Sequence, residues 1–309
     1  MIHPIQILPG ITLRCFPDNR FKQNCLSIQL IRPMCQEEAS LNALIPTLLL
    51  RGCETAPDLR AITLRLDDLY GATVGALVRR IGDCQTTGLY CGFISDRYAM
   101  ENDAILEPML DFLGQLLFHP LLEKGVFCKE FVKSEKKNLI STIESQVNDK
   151  RTYAAIALAK AMGKDDPFGV PRLGEVSQVK KITPEKAYRH YKKILSESKI
   201  ELFYIGEADP DFIAEKLKSL FSSIDRNYVN QPEQKPFSGA PTGEHTERLA
   251  VSQGKLAMGF TTPITFSHPD FPCFAGPSVK ESHLVGARVR VHGLYHRSGI
   301  SPCPKDVSI

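Results

Sequence analysis

The chain has 309 residues, 43% hydrophobic and 24% charged, with a net charge of +3. That length suffices for two domains with full cores, and the composition is that of an ordinary globular protein. Lys and Arg are spread among acids, so no nucleic-acid stripe stands out, and no window reaches the roughly 18 apolar residues of a membrane span.

The nine cysteines are scattered and form no C-x-x-C, which argues against a disulfide framework and a structural zinc knot. Met1-Ile2-His3-Pro4-Ile5 lacks the basic and apolar regions of a signal peptide, so a cytoplasmic location is expected. The basic clusters Lys133 to Lys137 and Lys192-Lys193 read as solvated helix faces.

In chain order, Ile5 to Phe16 reads as two short strands turned at Pro9-Gly10. Leu26, Ile28 and Leu30 alternate with Ser27 and Gln29, the period of a half-buried strand. A helix is expected over about 39–51, with Ser40 as cap and Pro46 as a kink or restart. Thr55-Ala56-Pro57-Asp58 opens a second helix, carrying Leu59, Ile62, Leu66 and Leu69 and stopped by Gly71. Val74–Arg80 and Gln85–Phe93 form a hairpin turned near Gly82-Asp83. Two long helices follow, one capped by Asn102 and ended by His119-Pro120, the other running from near Glu123 through Val147, with the Ala-rich stretch Tyr153 to Met162 open as its extension.

After a Gly/Pro loop, Thr183-Pro184-Glu185 starts a helix with a cap and a first-position proline. Lys199–Gly206 is read as a strand opening a second domain, and Asp209-Pro210 as the cap of a helix with Ile213, Leu217, Leu220 and Phe221. Arg226 to Glu247 reads as an exposed loop, followed by strands at Leu249-Ala250-Val251 and Leu256–Phe260. Residues 273–309 show no helix period and stay unassigned.

Four segments carry a family resemblance. They are Leu48-Leu49-Leu50-Arg51-Gly52, Leu66-Asp67-Asp68-Leu69-Tyr70-Gly71-Ala72 and Phe118-His119-Pro120-Leu121. The fourth runs from Asp166-Pro167-Phe168-Gly169 through Leu173-Gly174 and Ile182-Thr183-Pro184-Glu185 to Tyr191 and Ile205-Gly206. Their order resembles the pitrilysin/insulinase metallopeptidases, over residues 1 to about 272. Active members carry an inverted H-x-x-E-H motif just before the apolar run and basic-Gly turn. Here those five positions are Ala43, Leu44, Ile45, Pro46 and Thr47. Zinc catalysis needs imidazole and carboxylate ligands and a Glu to activate water, and Ala, Pro and Thr supply none of these. Aligning Glu135 with a family Glu places the third-ligand position near Thr142, with Glu144 close by. One carboxylate alone cannot hold catalytic zinc.

The resemblance implies an α+β fold of two related domains, each a mainly antiparallel sheet covered by helices on one face. The expected boundaries are 1–195, a partial second domain at 196–272 and a tail at 273–309. It also implies a catalytically inactive protein, most similar to the YfmF-like bacterial members associated with elongation factor P modification. No metal or cofactor is expected. The implied partners are an active family paralogue, as half of a heterodimer, and an extended peptide bound along a sheet edge. The alternatives are a zinc-dependent peptidase with non-standard ligands, and a truncated product without function.

Other constellations read as structural. His292 and His296, with His283 and Cys303, could share a metal only on a helix that Gly293, Gly299 and Ser301-Pro302 disfavour. His119 suits a helix C-terminus, and His190 is expected on an exposed helix face. Asp67 and Asp68, on consecutive helical positions, diverge. Gly71 to Gly75 lacks a P-loop or dinucleotide pattern, and Cys53 has no His nearby in sequence.

Overall fold

The computed structural model describes residues 4–100, 103–164, 166–230, 242–249 and 254–259, together with a small strand pair, His283–Leu284 with Ala287–Arg288. His292, His296, Cys303 and Asn102 lie outside the described residues, as does most of the tail.

A six-stranded sheet organises the chain. Its strands are β1 (Pro4–Leu8), β2 (Ile11–Pro17), β3 (Gln23–Pro33), β4 (Thr73–Ile81), β5 (Cys84–Ile94) and β8 (Lys199–Gly206), in the order β1-β2-β8-β3-β5-β4. β8 runs parallel to β2; the other pairings are antiparallel. A two-stranded ribbon, β6 (Leu122–Glu123) with β7 (Val126–Phe127), stands apart from it.

The period-2 pattern puts one face of this sheet into the core. Leu13, Leu202, Ile28 and Leu89 form one row across four strands, and Cys15, Tyr204, Leu26 and Cys91 another. All eight are buried. The helices α1 (Gln36–Leu49), α3 (Leu106–Phe118), α7 (Pro184–Glu197) and α8 (Pro210–Phe221) contribute to the same core cluster. The fold is thus α+β, a mostly antiparallel sheet with helices on one face.

The strand expected to open a second domain is instead central to this sheet. β8 lies between β2 and β3, and α8 packs on β1 and β2, so residues 199–221 complete the first unit rather than begin another after residue 195. The sequence signal for β8 was correct as a strand. Its pairing with segments about 170–190 residues earlier leaves no local trace.

Helix termini follow local chemistry. Thr183 accepts from Lys186 N at 3.2 Å to cap α7, and Asp209 accepts from Asp211 N at 2.7 Å to cap α8. Asp58 does the same for Ala61 N in α2 (Leu59–Asp68). Three expectations are corrected. Ser40 is not a cap, because α1 begins earlier, with Glu37 and Glu38 in its first turn, where carboxylates suit the positive helix end. α3 begins at Leu106, its first amides held by Asp96 Oδ1 at 2.9 and 3.1 Å. The helix expected from Glu123 is split. β6 and β7 precede α4 (Lys129–Ser145), a 3-10 turn follows, and Asp149 caps a new helix, α5 (Lys150–Met162).

Candidate functional site

Residues 43–47, the expected motif positions, lie within α1, which is continuous through Pro46. A helix-interior proline removes the hydrogen bond to the carbonyl four residues back, here that of Asn42. The Thr87 hydroxyl on β5 donates to that oxygen instead, at 2.6 Å. The helix does not restart at Pro46, since α1 runs unbroken from Gln36 to Leu49, and a neighbouring strand satisfies the carbonyl that Pro46 leaves open. Ala43, Leu44 and Ile45 are 1–3% exposed and sit in the core. Thr47 is half-buried, and its hydroxyl bonds back to Leu44 O at 2.9 Å.

Beyond the motif, α1 is tied to α4. Arg51 pairs with Glu135 at 2.9 Å, donates to Ser134 Oγ at 2.6 Å and lies over the Phe131 ring at 5.8 Å. Glu135, buried, also accepts from Asn138 at 3.1 Å. The third-ligand region lies further along α4. Thr142 is exposed and bonds to Asn138 O on its own helix; Glu144 is exposed. Among the described residues, no three His, Cys, Asp or Glu side chains converge as metal ligands. The loop that returns the chain to α1 depends on Gly174: its φ is +71°, and a Cβ there would collide with Ser40.

Immediately before the motif lies a buried polar network that sequence reasoning missed. Asn42 Nδ2 donates to Gln85 Oε1 at 2.9 Å, and Gln85 Nε2 donates to Ala39 O and Arg172 O at 3.0 and 2.7 Å. Those carbonyls fix the orientation of both amides, so Asn42 Oδ1 is an acceptor. Its partner is His190 Nε2, at 2.7 Å, which must carry the proton. His190 is thus buried, at 6% exposure, rather than on an outer face. Burial pushes its pKa down to about 4, which favours the neutral ring with its proton on Nε2.

A charged group adjoins this network. Arg32 makes two hydrogen bonds to Glu38, at 2.8 and 3.2 Å, and Lys193 adds a third at 2.7 Å. Burial alone would raise the Glu38 carboxyl, but these cations hold it down at about 2.

Of the remaining candidates, His119 follows α3 and its Nδ1 lies 3.9 Å from Glu54. Cys53 is buried and its Sγ contacts the Thr55 hydroxyl at 3.4 Å. Asp67 and Asp68 are exposed at the end of α2.

Comparison with known proteins agrees with this architecture. Residues 181–275 match the family described as the peptidase M16 inactive domain, a stretch that begins after α1 and α4. The chain is 27% identical over 263 residues to "Probable inactive metalloprotease YmfF" of Bacillus subtilis (strain 168), covering 85% of this chain and 62% of that protein. A conserved protein from Enterococcus faecalis V583 superposes with a TM-score of 0.68 at 22% identity, over 85% of this chain and 59% of the other. A peptidase M16 inactive domain from Pseudomonas fluorescens gives 0.63 at 12% identity, over 89% and 63%. At these identities the structural likenesses show the fold alone. The chain spans about three-fifths of the length of these relatives. The resemblance to the insulinase/pitrilysin (M16) metallopeptidases, and within it to relatives described as inactive, is borne out.

Proposed function

We propose that this chain is a catalytically inactive M16-type protein that acts through binding, as the partner subunit of an active family paralogue. The observation that carries this reading is Pro46 with Thr87. The position that holds the catalytic Glu in active relatives is a proline here, and its missing hydrogen bond is supplied by a strand hydroxyl. Ala43 and Thr47 supply no imidazole for zinc. An extended peptide would add along a sheet edge, and the outer strand β4 offers one. Heterodimer formation and an association with elongation factor P modification follow from the family resemblance alone and, with a cytoplasmic location, belong to the same proposal.

The test combines a metal assay with peptide cleavage, with and without chelator, on purified tag-free protein alone and mixed with a paralogue carrying H-x-x-E-H. The proposal expects no bound zinc and no cleavage from the chain alone, and co-elution with the paralogue. Stoichiometric zinc with chelator-sensitive cleavage by the isolated chain would overturn it.

A further inference from the structure

Charge is unevenly distributed over the helical layer. Residues 122–193 carry sixteen Lys and Arg against nine Asp and Glu, a net +7 in a chain whose total is +3. On α4, Lys129, Lys133 and Lys137 recur every fourth residue and are all exposed. Four residues of helix rise about 6 Å, so these ammonium groups form a ladder along one face. No salt bridge among the described residues engages them. The acids of α4 are Glu130, Glu144 and Glu135, the last tied to Arg51. Lys136 instead turns towards α6 (Val176–Lys180), donating to Lys180 O and Ile182 O at 2.9 and 2.6 Å. That contact sets the exposed Lys180 and Lys181 beside the ladder.

The opposite charge gathers on α3 and α8. Residues 103–121 and 207–225 together hold eight Asp and Glu against two Lys. Glu107 and Asp111 on α3, and Asp211 and Glu215 on α8, are exposed pairs with the same four-residue spacing. The two helices are in contact, and Lys216 is shared between Glu107 and Asp111 at 3.5 and 3.0 Å.

We infer that these two faces are complementary docking surfaces, and that the lysine face of α4 seats the α3–α8 face of a second copy of this chain. The spacing matches turn for turn, as in helices that pair through ladders of opposite charge. The lysine face also lacks what a single-stranded nucleic acid would use, since Phe131, the ring on α4, lies under Arg51. A contact between two different faces is head-to-tail, and it propagates or closes into a ring. Exposed charges dominate it, so it is weak and salt-sensitive.

The test is sedimentation velocity of the full chain over a concentration series, at about 20 mM and about 500 mM salt, where screening is respectively long- and short-range. The inference expects association at low salt that disappears at high salt. Two variants refine it: K129E/K133E/K137E, which makes both faces acidic, and E107K/E215K, which makes both basic. Each alone should be monomeric, and an equimolar mixture should associate again, because every α4 face then meets an opposite α8 face. All five side chains are exposed, and circular dichroism checks that both variants are folded. A chain monomeric at low salt, association that survives the lysine reversal, or a mixture that stays monomeric would overturn the inference. So would capture of an acidic protein or nucleic acid by the lysine face without any self-association.

Discussion

Two stretches of α1, one residue apart, have opposite characters. At Asn42 the helix enters a closed hydrogen-bond network with Gln85 and His190, and its carbonyl takes the Thr87 hydroxyl. From Ala43 to Thr47 it presents small and aliphatic side chains, and the one hydroxyl bonds to its own helix. From Asn42 to Thr47, polar side chains occur only where the fold satisfies them. A buried polar group without a partner is costly, and this stretch of α1 contains none.

The largest effect should come from breaking the network at its centre. Asn42→Ala removes partners from Gln85 and His190 at once and should cost about 3 kcal/mol in denaturant unfolding. A cost below about 1 kcal/mol would mean that the network does not hold the helix in place.

Acid should attack the same network through His190. Its folded pKa, about 4, lies below the ordinary 6.5, so the unfolded chain takes up the proton first. Stability is then full above pH 6.5 and falls as pH drops towards 4, by about 2 kcal/mol at pH 5. Glu38 adds a second, lower window: its depressed carboxyl contributes above its ordinary pKa of 4.5 and is lost as pH falls towards 2. Stability measured between pH 7 and pH 5 should flatten in His190→Gln and keep its slope in a Glu38 variant. The reverse pattern would reassign the upper window.

Thr87 and Pro46 should be coupled. Thr87→Val leaves the Asn42 carbonyl unsatisfied and should cost about 1–2 kcal/mol. Pro46→Ala restores a backbone donor, so the same Thr87→Val change in that background should cost much less. Additive effects in the double-mutant cycle would show that the hydroxyl does not replace the lost amide. The smallest effect belongs to the third-ligand region: Thr142→Ala and Glu144→Ala, both exposed, should stay within about 0.5 kcal/mol by thermal or denaturant melts.

What the sequence made legible was local. The alternation of Leu26, Ile28 and Leu30, the Gly82-Asp83 hairpin and the Thr183-Pro184 and Asp209-Pro210 helix starts are fixed by neighbours a few residues away, and the structure has them in place. The elements that differ depend on partners outside their own segment. The start of α3 is set by Asp96, nine and ten residues before the amides it holds, which no local cap signal marks. His190 was misread although a signal existed: with Ala187, Tyr191 and Ile194 it completes a helical stripe, and all four are buried. Its polarity suggested solvent, and only Asn42, 148 residues earlier, accounts for its burial. That Ala43, Pro46 and Thr47 offer no zinc ligand is legible from the sequence, because a residue type either can or cannot ligate zinc. The response of the helix to Pro46 was not, since Thr87 reaches it from another strand.

The position of β8 bears on how the chain is made. Neither β2 nor β3 pairs with the other; each waits for a strand that leaves the ribosome about 170 residues after β3 ends. Until then both expose open backbone edges of the kind that recruit other chains. Synthesis must therefore pass Gly206 before the sheet can close, and a nascent chain halted at residue 195 would be a hazard rather than a domain.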